Sequence, residues 1–239
     1  MNKSILTHII NSKEEGKKLL AVLLDPDKVK LDNIENLIQK IKDKADFLFV
    51  GGSTVTNGDT QNLVKQLKVF TNIPIVLFPG DTSQITNAAD ALLFLSLISG
   101  DNPEYLITQQ LKSVTALQKT QLEIIPTGYI LIDGGVTTAV QKVSGTKPIP
   151  QSNIELISRT AITGMYLGKQ LIYLEAGSGA TEAVGQKIIK ETSKNISIPL
   201  IVGGGIRTKK QLDNAYNAGA DLIVIGTAFE ENNSFFDTF

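Results

Sequence analysis

Eight short apolar runs punctuate the chain, each closed by turn residues and separated from the next by a stretch of charged and apolar positions at helical spacing. They occupy 19–25, 45–52, 73–79, 91–97, 124–133, 171–177, 200–205 and 222–226. Runs this short and this continuously apolar predict strands buried on both faces, as parallel strands are. Amphipathic stretches at 31–44, 60–70, 103–119, 152–168, 181–192 and 208–218 predict helices between them. Repeated strand–helix alternation predicts a (β/α)8 TIM barrel, with a doubly wound open sheet as the alternative. The count of strands and the glycines placed late in the chain favour the barrel. The third crossover, 80–89, is too short for a full helix, so that wall is expected to be thin, its helix missing or shortened. Residues 134–151 read as a long loop carrying Pro148 and Pro150, and the tail after Thr227 leaves room for an abbreviated last helix. Without linker or repeat, residues 1–239 read as a single domain.

Composition narrows the function classes. A net charge of −1 gives no basic field, so nucleic acid is not an expected partner. The absence of Cys excludes disulfides and thiolate metal sites. The single histidine, His8, precedes the first strand and reads as a surface helix residue. Histidine acid–base chemistry and histidine metal sites are therefore not expected. The first residues are too polar for a secretory signal, and the run 88–99 is too short to span a bilayer. A soluble, cytoplasmic enzyme is the expectation.

In a barrel the C-terminal strand ends converge on one face. Here those ends are Asp25, Gly51-Gly52-Ser53, Pro79, Ser96, Asp133, Glu175, Gly203-Gly204-Gly205 and Gly226-Thr227. The sixth run ends in an acid and opens into Gly177-Ser178-Gly179; Tyr173, Glu175 and Gly177 share one parity and so face one side. Glycine turns after strands six, seven and eight point to an anion seat built from backbone N–H groups and a helix N-terminus, although glycines also serve tight turns. Asp25 and Ser53, a carboxylate and a hydroxyl with no histidine near, suit Mg²⁺ completed by substrate phosphates. A capping role is the alternative for both. No lysine at a strand end disfavours a Schiff-base aldolase, and Walker A and GxGxxG patterns are missing. A phosphate-binding isomerase or lyase using Asp25 with Asp133 is a second reading, and a non-catalytic phosphate-binding scaffold a third.

The segments LLDPDK, FVGGS, FLSLISGDNPEYLI, PTGYILID, YLEAGSGA, VGGGI and IGTAF, in that order over nearly the whole chain, resemble the geranylgeranylglyceryl phosphate synthase family. The resemblance implies a TIM-barrel prenyltransferase moving a geranylgeranyl group from its diphosphate to the C3 hydroxyl of sn-glycerol 1-phosphate. It implies Mg²⁺ at Asp25 and Ser53. It places glycerol phosphate against Tyr173, Leu174, Glu175, Ala176, Gly177, Ser178, Gly179, Gly204, Gly205, Gly226 and Thr227. It also implies a homo-oligomer, and a lipid product makes peripheral membrane contact an expectation. On chemical grounds Glu175 is the candidate to accept the hydroxyl proton or to anchor the hydroxyl, with Tyr173 beside it on the same strand face. Tyr129 is a further candidate contact. Lys28 and Arg207 could assist phosphate but read better as solvated. Residues 92–98 and 103–111, with Phe78, are candidates for a prenyl groove where the wall is thin.

Overall fold

The computed structural model describes residues 4–56, 59–232 and 235–238. Eight parallel strands close into a barrel in sequence order. They are β1 (Leu19–Leu24), β2 (Phe47–Val50), β3 (Ile75–Leu77), β4 (Ala91–Leu97), β5 (Glu123–Leu131), β6 (Leu171–Glu175), β7 (Leu200–Gly203) and β8 (Leu222–Ile225). Closure runs through β1 and β8, where Leu19 to Val22 pair with Leu222 to Ile225. The expected barrel is thus the observed one, and each strand lies inside its apolar run or within a residue of it.

The helices are α1 (Ile5–Glu14), α2 (Ile34–Ile41), α3 (Thr60–Phe70), α4 (Gln109–Leu117), α5 (Ala139–Ser144), α6 (Ile154–Tyr166), α7 (Gln186–Asn195), α8 (Lys209–Ala218) and α9 (Thr227–Glu231). Strand parity sorts the core into two clusters. Ala21, Phe49, Leu93, Tyr173 and Val224 fill the barrel, while Val22, Leu48, Leu92, Leu174 and Ile223 pack outward on the helices. Helix α1 closes the N-terminal end, inserting Ile5 and Ile9 into the inner cluster. Glu123, at the start of β5, accepts the Ile5 and Leu6 N–H groups at 2.6 and 3.1 Å and so fixes the helix start.

The third crossover holds only a 3-10 turn at Thr82–Gln84, as its shortness led us to expect. Three other segments depart from expectation. The long loop 134–151 contains α5, whose start is capped by Thr138 Oγ1 on the Gln141 N–H. The helix expected from 181 begins at Gln186 instead, because the chain first spends Thr181 and Glu182 as donors to Gly134 O. The segment before α4 winds as a π-helix over Glu104–Thr108.

Candidate active site

The polar mouth lies at the C-terminal ends of the strands. It is lined by Leu23, Asp25, Lys28, Gly52, Ser53, Tyr173, Glu175, Gly177, Ser178, Gly179, Gly204, Gly205, Arg207, Gly226 and Thr227, among others. Strand alternation decides which neighbours reach it. Tyr173 and Glu175 point in, whereas Leu174 and Ala176 are fully buried in the outer cluster. Any contribution from those two comes through their backbone, and the Ala176 N–H already donates to Gly203 O at 3.1 Å.

Glu175 is 7% exposed. Its Oε1 accepts the Gly177 N–H at 2.7 Å. Glycines make room for it: a Cβ on Gly203 would stand 2.7 Å from Glu175 Oε2, and one on Gly204 would strike Glu175 Oε1. Burial raises the carboxyl from its usual 4.5 to about 7, against the opposing pull of the Tyr173 hydroxyl and the Gly177 N–H. Tyr173 Oη has no hydrogen bond of sound geometry among the described residues, so it acts on Glu175 by proximity. Burial, reinforced by the Glu175 charge, holds the Tyr129 and Tyr173 phenols neutral, well above their ordinary range. The rings of Phe78 and Tyr173 stack at 5.3 Å between centroids, and Tyr129 meets Tyr173 at 5.4 Å.

The glycine turns after β6 and β7 meet at this mouth. Gly177, Gly179, Gly204 and Gly205 all take positive φ, the left-handed conformation that bares backbone to a ligand. Ser178 Oγ and Thr227 Oγ1 stand 3.1 Å apart and link the loops after β6 and β8. Gly226 precedes α9 with no side-chain cap, and Gly226, Thr227 and Ala228 line the mouth.

Across the mouth, the Asp25 carboxylate lies over Gly52, where a Cβ would fall 3.3 Å from both its oxygens. Lys28 Nζ is 3.7 Å from Asp25 Oδ2 and 2.8 Å from Glu230 Oε2. Burial alone would lower the Lys28 ammonium; the two carboxylates outweigh that and raise it. Lys28 is therefore a mouth residue with partners, as is Arg207, whose guanidinium pairs with Glu231. Among the described residues no cluster of three acids or histidines forms. One carboxylate, one hydroxyl and a glycine cradle still suit a hard cation that takes its remaining oxygens from substrate.

Ser96 and Asp133 do not reach the mouth. Ser96 faces the helix layer, where its Oγ receives Lys169 Nζ at 2.6 Å; its neighbours Leu95 and Leu97 carry the inward parity. Asp133 is exposed and folds back to accept the Gly135 N–H at 3.0 Å. The Asp25–Asp133 pair that an isomerase or lyase would use is not assembled.

A second, apolar cavity opens from the mouth, with about 850 Å³ of empty space, open solvent included. The two share Gly52, Ser53, Phe78, Tyr129 and Val140. The apolar cavity passes Leu97 and Leu95, then runs outside the barrel between β4 and α4, past Phe94, Leu92 and Ile85. It occupies the place left by the missing third helix. Tyr105 also lines it, and its hydroxyl donates to Val143 O at 3.1 Å, tying α5 over the opening. The polar lining on α4, Gln109, Gln110 and Ser113, carries no motif; its signal is its helical spacing beside the π-turn.

The PcrB family model matches residues 11–239. A geranylgeranylglyceryl phosphate synthase of Zunongwangia profunda is 56% identical over 226 residues, spanning 95% of this chain and 97% of that protein. One from Flavobacterium johnsoniae is 51% identical over 243 residues, spanning 100% of both. Among solved structures, the crystal structure of (S)-3-O-geranylgeranylglyceryl phosphate synthase from Thermoplasma acidophilum, in complex with substrate sn-glycerol-1-phosphate, matches with a TM-score of 0.91. It is 30% identical and covers 98% of this chain and 95% of that one.

Proposed function

This chain belongs to the PcrB family, and from that premise we propose that it is a prenyltransferase of the geranylgeranylglyceryl phosphate synthase type. It moves a geranylgeranyl group from geranylgeranyl diphosphate to the C3 hydroxyl of sn-glycerol 1-phosphate and releases diphosphate. The observation that carries the reading is the joined cavity: a glycine-lined polar mouth and an apolar groove that meet at Gly52, Ser53, Phe78 and Tyr129. A small polar phosphate suits the first, and an isoprenoid tail suits the second.

In this reading the phosphate sits on the loops after β6, β7 and β8, and its hydroxyl end meets Glu175. The prenyl C1–O bond to diphosphate breaks, its electron pair leaving with diphosphate. A new bond forms between C1 and the glycerol oxygen, and the hydroxyl proton passes to Glu175. A carboxyl near 7 is ionised in about half of the molecules at neutral pH and can take that proton. Phe78, Tyr129 and Tyr173 line the mouth, and aromatic rings there would favour positive charge developing on the allylic carbon. Asp25 and Ser53 would hold a Mg²⁺ ion, which when bound neutralises charge gathering on the diphosphate. Lys28, between Asp25 and Glu230, is placed to assist it.

The same proposal covers setting and assembly: a cytoplasmic homo-oligomer with peripheral membrane contact. Tyr166 and Leu167, 81% and 68% exposed, are apolar surface for a second copy. Among the described residues no helix is long and apolar enough to cross a bilayer.

The test is transfer itself. Purified protein with Mg²⁺, radiolabelled sn-glycerol 1-phosphate and geranylgeranyl diphosphate should yield butanol-extractable label that depends on both substrates. No extractable label with prenyl diphosphates of any length would overturn the reading.

A further inference from the structure

We infer that Gln84 is a positioning residue for the diphosphate half of the reaction, holding the Gly52–Ser53 backbone against the Asp25 carboxylate. The inference rests on the prenyl-transfer reading and adds to it a residue outside both cavities.

Gln84 closes the 3-10 turn of the third crossover, where a helix is missing, and it is 1% exposed. It lies outside the lining of the polar mouth and of the apolar groove. Any effect on substrate therefore passes through what it holds. Its carboxamide spends both ends on one residue: Oε1 accepts the Gly52 N–H at 3.1 Å, and Nε2 donates to Gly52 O at 2.9 Å. An N–H only donates and a carbonyl only accepts, which fixes the orientation of the amide.

Those two groups are the ones a neighbouring strand would pair. The β2–β3 register ends at Val50 and Leu77, after which the Phe78 N–H donates to Val50 O at 2.9 Å. Beyond that point the glutamine side chain stands in for the strand. The turn that carries it is pinned in its own right, since Asp81 Oδ1 accepts the Ser83 N–H at 2.7 Å.

The held backbone is the part of the rim that meets the proposed cation site. Gly52 lies flat against Asp25, as the 3.3 Å approach of a Cβ to both carboxylate oxygens shows. Gly80 closes on the same segment from the crossover, where a Cβ would strike Gly52 O and Ser53 O. Gln84 and Gly80 thus set the path on which Ser53 follows Gly52 into the mouth. A hydroxyl and a carboxylate that share a cation depend on the groups that orient them. Without the carboxamide, the Gly52 N–H and C=O must find other partners, and Ser53 shifts with them. The glycine turns after β6 and β7 lie across the mouth, so glycerol phosphate is spared.

The experiment compares the wild type with Gln84→Met and Gln84→Glu. Methionine keeps the length of the side chain and removes both hydrogen bonds. Glutamate keeps an acceptor for the Gly52 N–H and loses the donor to Gly52 O. Calorimetry reads the binding of inorganic diphosphate with Mg²⁺ and, separately, of sn-glycerol 1-phosphate. Transfer kinetics are measured on the same samples, and thermal unfolding verifies that each variant is folded. Both variants should bind Mg²⁺-diphosphate at least about tenfold more weakly and show a raised KM for geranylgeranyl diphosphate. Affinity for sn-glycerol 1-phosphate should stay within roughly twofold of the wild type, because its seat is supported by other loops. Equal weakening of both ligands would mark a general structural role and overturn the inference, as would unchanged binding of both. The selective loss without prenyl transfer by the wild type would sink the prenyl-transfer reading alone. A wild type that neither binds diphosphate nor transfers a prenyl group would overturn both.

Discussion

Glu175 Oε1 accepts the Gly177 N–H at 2.7 Å, so the carboxylate at the end of β6 is fastened to the first glycine of the loop that follows it. The group proposed to receive a proton and the loop proposed to seat a phosphate are one rigid unit. A three-carbon phosphate held by that loop has its far hydroxyl delivered to a fixed acid. Orientation of this kind lowers a barrier without needing a strong base.

Replacing Glu175 with Gln retains an acceptor for Gly177 and removes the base. We expect kcat to fall by roughly a hundredfold with the KM for glycerol phosphate nearly unchanged. Wild-type kcat/KM should decline by about tenfold per pH unit below about 7, where the carboxyl protonates, and the variant should lose that limb. Steady-state kinetics across pH 5.5–9 checks both points. Near-full turnover by the variant would leave Glu175 as an anchor only.

The same carboxyl makes stability depend on pH. Its folded value of about 7 lies above the usual 4.5, so the folded state holds a proton that the unfolded chain has lost between those values. Its contribution is whole below about 4.5, is lost as pH rises towards 7, and stays lost above. Glu175→Gln should therefore gain on the wild type across that window, by up to roughly 3 kcal/mol. Denaturant unfolding of both proteins at pH 5 and pH 8 measures the difference.

Gly204 takes φ +80 and a Cβ there would strike Glu175 Oε1 and lie 2.6 Å from the Gly177 N. Gly204→Ala combines left-handed strain of roughly 1–2 kcal/mol with displacement of the carboxylate. The expected result is a lower melting temperature, a raised KM for glycerol phosphate and a reduced kcat. Gly168, also at positive φ but with nothing within 4 Å of a Cβ, is the control: Gly168→Ala should lower stability alone.

Asp25→Asn keeps the shape and weakens the hold on a cation. Loss of several kcal/mol of charge stabilisation predicts a fall in kcat of about 10²–10³-fold. Chelation of the wild type should abolish transfer and added Mg²⁺ should restore it, while the Asn variant should need far more Mg²⁺ for half its maximum. Titration of Mg²⁺ at fixed substrate gives the comparison.

Much of this was legible from residues because burial leaves plain marks. Strands buried on both faces must be apolar throughout, so all eight strands of the barrel could be read from the apolar runs. Parity alone places Tyr173 and Glu175 inward and Leu174 outward. The same rule, applied to β4, sends Ser96 out to Lys169; reading it only as a strand end misplaced it. Asp133 shows the other limit, since a strand end that becomes a loop can fold onto its own N–H groups. The stretch 103–111 reads as groove lining, and Tyr105, Gln109 and Gln110 do line the apolar cavity, but the π-turn over Glu104–Thr108 is not written in local composition.

A crystal structure with sn-glycerol 1-phosphate, Mg²⁺ and a non-hydrolysable geranylgeranyl diphosphate tests the joined cavity most directly. The account predicts phosphate on the loops after β6, β7 and β8, the C3 hydroxyl within hydrogen-bond reach of Glu175, and the tail between β4 and α4. A phosphate bound away from those loops, or a tail outside that groove, would contradict it.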